Sequence, residues 1–369
     1  MKENRTYRIM ISGGGTGGHI YPAIAIANAW MEKYPSSEIL FVGAEGKMEM
    51  QKVPEAGYKI VGLNIAGLQR KITIDNLSFP FKLMSSLKRS WELINDFKPD
   101  AVVGVGGYAS GPILFIAQQK GIPTLIQEQN SFAGITNKIL AKKANSICVA
   151  YPGMERTFPA EKIEFTGNPV RKDILSLEGK TGRGLAYFGL EKGKPVILIL
   201  GGSLGAQTIN ESVLKCMDKI DALGYQVLWQ AGKFYIEDMS KAVKASGLKN
   251  IHVHEFIKDM DLAYAVADIV ISRAGALSVS ELSLVGKPVI FIPSPNVAED
   301  HQTKNALAYE SQRAALMIAD HVASKTLGKA IENLINDPTE MELLGENIKK
   351  LAKPEAAIDI VKALEKIIK

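Results

Sequence analysis

The chain has 369 residues, 46% hydrophobic and 22% charged, a composition that excludes a disordered or fibrous protein and allows two domains of ordinary size. Its 44 basic and 39 acidic residues leave a formal net charge of +5, which suits an anionic partner and falls well short of a nucleic-acid-binding balance. Two distant cysteines, Cys148 and Cys216, give no disulfide framework or metal spacing. No apolar run reaches the ~20 residues of a membrane span, so a cytoplasmic protein without a transmembrane segment or signal peptide is expected.

YRIMIS (7–12) reads as a buried strand ended by glycine. The glycine run 13–18 follows, and a helical pattern starts at His19. Strand, glycine turn and helix open a βαβ unit. SEILFVGA (37–44), PDAVVGVGGYASGP (99–112), GIPTLIQEQN (121–130) and NSICVA (145–150) add strands, the second with its own glycine loop. The pattern restarts at KPVILILGGSLGAQTINESV (194–213) and continues with strands within 225–232, 250–257, 268–275 and 287–295. Alternation of this kind predicts an α/β fold with two Rossmann-like, doubly wound parallel sheets. Asn168-Pro169 breaks regular structure, which places the domains at 1–168 and 169–352, followed by an amphipathic helix over 353–369.

A glycine turn ahead of a helix lets backbone N–H groups face an anion. One such loop can be a tight turn and nothing more. Three, at 13–18, 104–107 and 201–205, point to phosphate-bearing ligands. G-x-G-x-x-G can be read at 13–18, which raises a nicotinamide dehydrogenase as a rival. The acid expected after the second strand is missing there: Gly43 and Ala44 come first, and Glu45 is a weak substitute. No Walker pattern is present.

GGGTGGHIYPA, GVGGYASGP, IQEQN with AGITNK, GNPVR, GGSLGAQ, SRAGALSVSEL and EDHQTKNA occur in that order. Together, over nearly the whole chain, they resemble the MurG family of bacterial glycosyltransferases. The resemblance implies the GT-B architecture, two Rossmann-like domains facing across a cleft, with the C-terminal helix packing back on the first. It implies an inverting hexosyltransferase that moves N-acetylglucosamine from UDP-N-acetylglucosamine to the 4-hydroxyl of an undecaprenyl-diphosphate-linked muramoyl-peptide. No cofactor or obligatory metal is implied. Two rival readings are a nucleotide-sugar-binding scaffold without activity and a GT-B enzyme with another acceptor.

The resemblance also assigns roles. For the donor, Ser203 faces the UDP phosphates, Glu281 the ribose hydroxyls, and the Ile257 backbone the uracil. Arg171 and Asn130 stand near the donor, Gln302 and Asn305 near its sugar, and Thr16, Gly17 and Gly18 are assigned to it as well. His301 stands where the family has a glutamine, which leaves its role open. For the acceptor diphosphate the residues are Gly14, Gly15, Thr16, Gly106, Gly107 and Tyr108. His19 is the candidate general base, because imidazole titrates near working pH. It could instead orient phosphates or cap its helix, and Glu128, Asn130 or a phosphate oxygen are rival bases. Asp259-x-Asp261 invites a metal reading, but opening a helix suits aspartates structurally.

Residues 68–91 interleave Arg70, Lys71, Lys82, Lys88 and Arg89 with Ile72, Leu77, Phe79, Phe81, Leu83 and Trp91. Basic and apolar groups on one segment suit an anionic membrane surface. The alternative is an amphipathic helix packed on its own domain. The resemblance implies a peripheral location on the cytoplasmic face of the plasma membrane, with cell-wall synthesis and division proteins as candidate partners; no nucleic acid is expected.

Overall fold

The computed structural model describes residues 6–65, 75–297 and 300–368. The chain forms two compact units, Met1–Val170 with Pro354–Lys369, and Arg171–Lys353.

The first unit holds β1 (Arg8–Ser12), β2 (Glu38–Ala44), β3 (Lys59–Leu63), β4 (Ala101–Gly104), β5 (Thr124–Glu128), β6 (Ser146–Val149) and β7 (Ile163–Phe165). They form one sheet in the order β3-β2-β1-β4-β5-β6-β7, parallel throughout. Helices α1 (Gly17–Lys33), α2 (Glu49–Glu55), α3 (Asp75–Phe97), α4 (Ser110–Gln119) and α5 (Ile135–Ala141) connect the strands. Ile9, Met10, Ile11, Val102, Val103, Leu125 and Ile126 are fully buried. Continuous apolar strands of this kind belong to a parallel sheet covered on both faces.

The second unit repeats the plan with β8 (Val196–Leu200), β9 (Gln226–Gln230), β10 (Ile251–His254), β11 (Ile269–Ser272), β12 (Val289–Phe291) and β13 (Leu316–Met317). Their order is β10-β9-β8-β11-β12-β13. Helices α6 (Thr181–Phe188), α7 (Gln207–Ala222), α8 (Ile236–Ser246), α9 (Met260–Val266), α10 (Ala276–Val285), α11 (His301–Glu310), α12 (Asp320–Ile335) and α13 (Pro338–Lys350) belong to it. The chain then returns to the first unit as α14 (Ala356–Ile367), which packs on α1. There Lys366 pairs with Glu164 at 2.7 Å.

Both sheets have a topological switch point, where the strand order reverses and ligands of open α/β sheets bind. In the first it lies at the carboxyl ends of β1 and β4, in the second at those of β8 and β11. The three glycine loops follow β1, β4 and β8, so the fold gathers them at these points. Strands β3, β7 and β13 are absent from the sequence reading. They are edge or near-edge strands of five, three and two residues, too short or too weakly patterned for a period-2 signal.

Candidate active site

In the first unit the two glycine loops pack directly on each other. Val105 N–H donates to the Ser12 carbonyl at 2.7 Å, continuing the β1–β4 pairing into the loops. A Cβ on Gly107 would fall 2.5 Å from the Gly14 carbonyl oxygen, and Gly107 has φ of +85°. Only glycine satisfies both constraints. Gly106 sits under His19: a Cβ there would lie 2.9 Å from Nε2. The structure thus brings Gly14, Gly106, Gly107 and His19 together at one switch point. Tyr108 is exposed beside them. Gly17 and Gly18 begin α1, where first-turn N–H groups have no carbonyl within the helix. Thr16 stands at the N-cap, but its hydroxyl makes no capping bond and lies 3.2 Å from His19 Nδ1.

His19 Nδ1 lies 3.0 Å from the Gly14 carbonyl oxygen. A carbonyl only accepts, so Nδ1 carries the hydrogen and Nε2 holds the lone pair of the neutral ring. That is the tautomer a base on the Nε2 side requires, and His19 does not cap its helix through Nδ1.

Two expectations on this side need correction. Gly15 gives its N–H to Glu49 Oε2 at 2.9 Å, so that donor is unavailable to a diphosphate. Glu128 is a poor rival base. It is buried, and its oxygens accept from Asn130 N (3.1 Å), Asn130 Nδ2 (3.4 Å), Gly134 N (3.1 Å) and Asn137 Nδ2 (2.8 Å). Its function is to shape the turn after β5, and Asn130 is held in that turn. Beneath it Asn168 is also buried, bonded to Gln127 at 2.9 Å and to the Gln129 carbonyl at 3.0 Å. The sequence showed Asn168 only as a break in regular structure.

In the second unit Ser203 is exposed on the loop between β8 and α7. No acidic residue occupies the first turn of α7, so the helix end keeps its positive dipole for an anion. Glu281, on α10, is partly exposed, and the hydroxyl of buried Tyr264 donates to its Oε2 at 3.0 Å. Burial raises the Glu281 carboxyl above the usual glutamate range, while Tyr264 and Arg171 pull it back down. Glu281 is therefore not a solvated helix residue. Arg171 is locked to Asp173, Nε to Oδ1 at 3.0 Å, which raises its guanidinium.

Ile257 spends its N–H on Gln230 Oε1 at 2.9 Å, so its carbonyl is the backbone group left for a base. Gln302 Oε1 accepts from Ser294 N–H at 2.9 Å, leaving its amide nitrogen as the donor. His301 begins α11, half-buried. Asn305 is a correction: it is fully buried, and its amide donates to the Ala274 carbonyl at 3.2 Å. It latches α11 to the turn before α10 and cannot touch a sugar. Asp259 and Asp261 do open α9, Asp259 at the N-cap and Asp261 in the first turn, but Asp259 makes no capping bond: it accepts from Tyr187 at 2.8 Å, while Asp261 pairs with Lys180 at 2.9 Å. Among the described residues no three His, Cys, Asp or Glu side chains gather as a metal-binding group.

On α3, Phe81 (77% exposed), Met84 (70%), Lys88 and Trp91 share one helical face pointing to solvent. Leu83 and Leu87 pack on the core. The described part of the segment is thus an amphipathic helix that packs on its own domain through Leu83 and Leu87 and turns an apolar and basic face to solvent. Phe79 and Lys82 are half-buried, and exposed Arg89 pairs with Glu92 at 3.1 Å. Arg70, Lys71 and Ile72 lie outside the described residues, as does the Leu77 side chain. Sequence reasoning missed Phe115 on α4 and Ile135 and Ile139 on α5, which are exposed on the neighbouring helices. Among the described residues no helix is long and apolar enough to cross a membrane.

Models of glycosyltransferase family 28 match both halves, the N-terminal domain over residues 9–149 and the C-terminal domain over residues 196–361. A crystal structure of Acinetobacter baumannii MurG has a TM-score of 0.79 and 30% identity, with 98% of this chain and 99% of that one covered. This chain belongs to the MurG family of glycosyltransferases. A relative from Flavobacterium psychrophilum is 55% identical over 98% of both chains, and one from Phocaeicola vulgatus is 55% identical over 100% of this chain and 97% of its own. Both are named UDP-N-acetylglucosamine–N-acetylmuramyl-(pentapeptide) pyrophosphoryl-undecaprenol N-acetylglucosamine transferase. The MurG family has the GT-B fold, and the two parallel-sheet α/β units described above match it.

Proposed function

We propose that this chain transfers N-acetylglucosamine from UDP-N-acetylglucosamine to the muramoyl 4-hydroxyl of an undecaprenyl-diphosphate-linked muramoyl-peptide. The observation that carries the reading is the pair of switch points, one with His19 over two packed glycine loops and one with Ser203, the α7 N-terminus and Glu281. The acceptor diphosphate sits at the first, against Gly14, Gly106, Gly107 and the start of α1. The donor sits at the second, its diphosphate at the α7 N-terminus, its ribose on Glu281 and its sugar near Gln302.

The acceptor oxygen attacks C1 of the donor sugar from the face opposite UDP, giving an inverted β-1,4 link. The C1–O bond to the β-phosphate breaks, and its electrons leave on UDP. The hydroxyl proton passes to His19 Nε2. Charge building on UDP meets the α7 N–H groups, which are already oriented for it. We propose that no divalent metal is obligatory. The helix dipole supplies this stabilisation, and Asp259 and Asp261 already have protein partners.

The purified chain, incubated with labelled UDP-N-acetylglucosamine and a short-chain acceptor analogue, is expected to form the disaccharide product and release UDP at a rate that EDTA leaves unchanged. Absence of product would overturn the activity and leave a binding scaffold. A rate abolished by EDTA and restored by magnesium would overturn the metal-free reading.

The acceptor's lipid stays in the bilayer, so the first unit must work against a membrane. The outward stripe Phe81, Met84, Lys88 and Trp91, with Phe115 and Ile139 nearby, suits insertion among anionic headgroups on the cytoplasmic side. Replacing Phe81 and Trp91 with serine, or Lys88 and Arg89 with glutamate, is expected to reduce binding to anionic liposomes. Turnover of a soluble acceptor analogue is expected to stay the same. Unchanged liposome binding in both variants would move the membrane face elsewhere.

A further inference from the structure

We propose that Glu49 is a positioning residue that acts on His19 through a single peptide unit. Glu49 opens α2 and has 0% exposure. Its Oε1 accepts from Ala44 N–H at 3.0 Å and its Oε2 from Gly15 N–H at 2.9 Å. Among the described residues no cationic side chain pairs with it. Burying a carboxylate without a cation is costly, and the chain makes specific room for this one. A Cβ on Gly14 would fall 2.1 Å from Glu49 Oε1, and one on Gly43 2.6 Å from its Cγ. Glycine at both positions forms the slot that the side chain fills.

The Gly15 N–H and the Gly14 carbonyl belong to the same peptide unit. In a planar trans peptide the two point in opposite directions. Anchoring the N–H on Glu49 therefore aims the carbonyl away from it, and His19 Nδ1 stands on that side, 3.0 Å from the oxygen. The order is carboxylate, peptide, imidazole. Hydrogen bonds in series polarise one another, so the carboxylate makes the Gly14 oxygen a better acceptor for Nδ1–H. This holds the ring in the tautomer with its lone pair on Nε2. When Nε2 takes the acceptor's proton, the new positive charge has a negative one two hydrogen bonds away. Metal-bound histidines use outer carboxylates in the same way to fix tautomer and orientation. Here a peptide is interposed, which keeps the carboxylate out of contact with an anionic substrate.

The inference rests on reading His19 as the base, and two measurements keep the two apart. Glu49→Gln preserves shape but offers only one accepting oxygen for two N–H groups. Its kcat is expected to fall about 10- to 100-fold, the usual effect of losing an orienting partner, with both KM values within about twofold. The doubly substituted Glu49→Gln/His19→Ala enzyme is expected to match His19→Ala alone. Nitrogen-15 NMR at a pH where the ring is neutral is expected to show His19 protonated on Nδ1 in the wild type, and to lose that preference in Glu49→Gln. If Glu49→Gln does not fold, Glu49→Asp, which keeps the charge but withdraws it from Gly15, is measured in the same way. A wild-type ring protonated on Nε2 would overturn the proposal. So would a Glu49→Gln enzyme with full kcat and an unchanged tautomer. A His19→Ala enzyme with full kcat would instead end the base assignment, and the NMR comparison would still decide whether Glu49 sets the tautomer.

Discussion

His19→Ala is expected to lower kcat by about 10²–10⁴-fold, the usual size of a general-base contribution, with the donor KM unchanged. Geometry supports the size of the effect. The ring's Nδ1 faces the Gly14 carbonyl at 3.0 Å, so proton acceptance falls to Nε2, which lies over Gly106 in the packed glycine loops. The carboxylate rival Glu128 is buried under four N–H donors and cannot take over without breaking its turn. His19→Gln separates base from phosphate clamp. An amide can donate to phosphate but cannot hold the hydroxyl proton. If His19 only orients the diphosphate, His19→Ala raises the acceptor KM with kcat mostly intact, and His19→Gln restores it. A full-rate His19→Gln enzyme ends the general-base assignment. Steady-state kinetics with both substrates varied gives the answer.

The parts of this site that were legible in the sequence share a physical origin. Buried parallel strands must be continuously apolar, and phosphate loops must be glycine-rich, so β1, β4, β8 and their loops stand out as patterns. Glu49 does not. It lies between Met48 and Met50 in a stretch with Glu45, Lys47 and Lys52, where a glutamate reads as solvated. Its burial follows from Gly14 and Gly43, far apart in the chain but both facing the same slot. The signal available was Gly43-Ala44 in place of the dinucleotide acid, followed by a glutamate opening the next helix. Asn305 failed in the opposite direction. It follows Gln302 in one polar motif, and nothing in the motif shows that α11 turns Asn305 into the core against Ala274. Tyr264 was equally hidden, because a tyrosine in a short apolar helix reads as packing. Its hydroxyl became meaningful only when α9 was placed beside Glu281.

Glu281→Ala is expected to raise the donor KM by 10²-fold or more while kcat changes little. Two ribose hydroxyls would donate to this carboxylate, and a hydrogen bond to a charged group contributes roughly 1.5–3 kcal/mol, so losing both exceeds a single tenfold step. Tyr264 already donates to Oε2 at 3.0 Å, which fixes the carboxylate plane before the donor arrives. Tyr264→Phe should therefore give a smaller increase in the same constant. The pH dependence follows from the direction of the Glu281 shift. Burial raises the carboxyl, and the ribose hydroxyls need its ionised form. The donor KM should rise as pH falls, and it should begin to do so at a higher pH than an ordinary glutamate would allow. Removing Tyr264 or Arg171, both of which pull the carboxyl down, should move the onset higher still. The same group opposes folding while charged, so stability gains as pH falls through its raised pKa, opposite in sign to the donor affinity. Measuring donor KM against pH for wild type, Tyr264→Phe and Glu281→Gln tests the assignment. Glu281→Gln, with nothing to titrate, should give a flat profile over that range, and a wild-type profile that is also flat, or a donor KM untouched in Glu281→Ala, would remove Glu281 from the site.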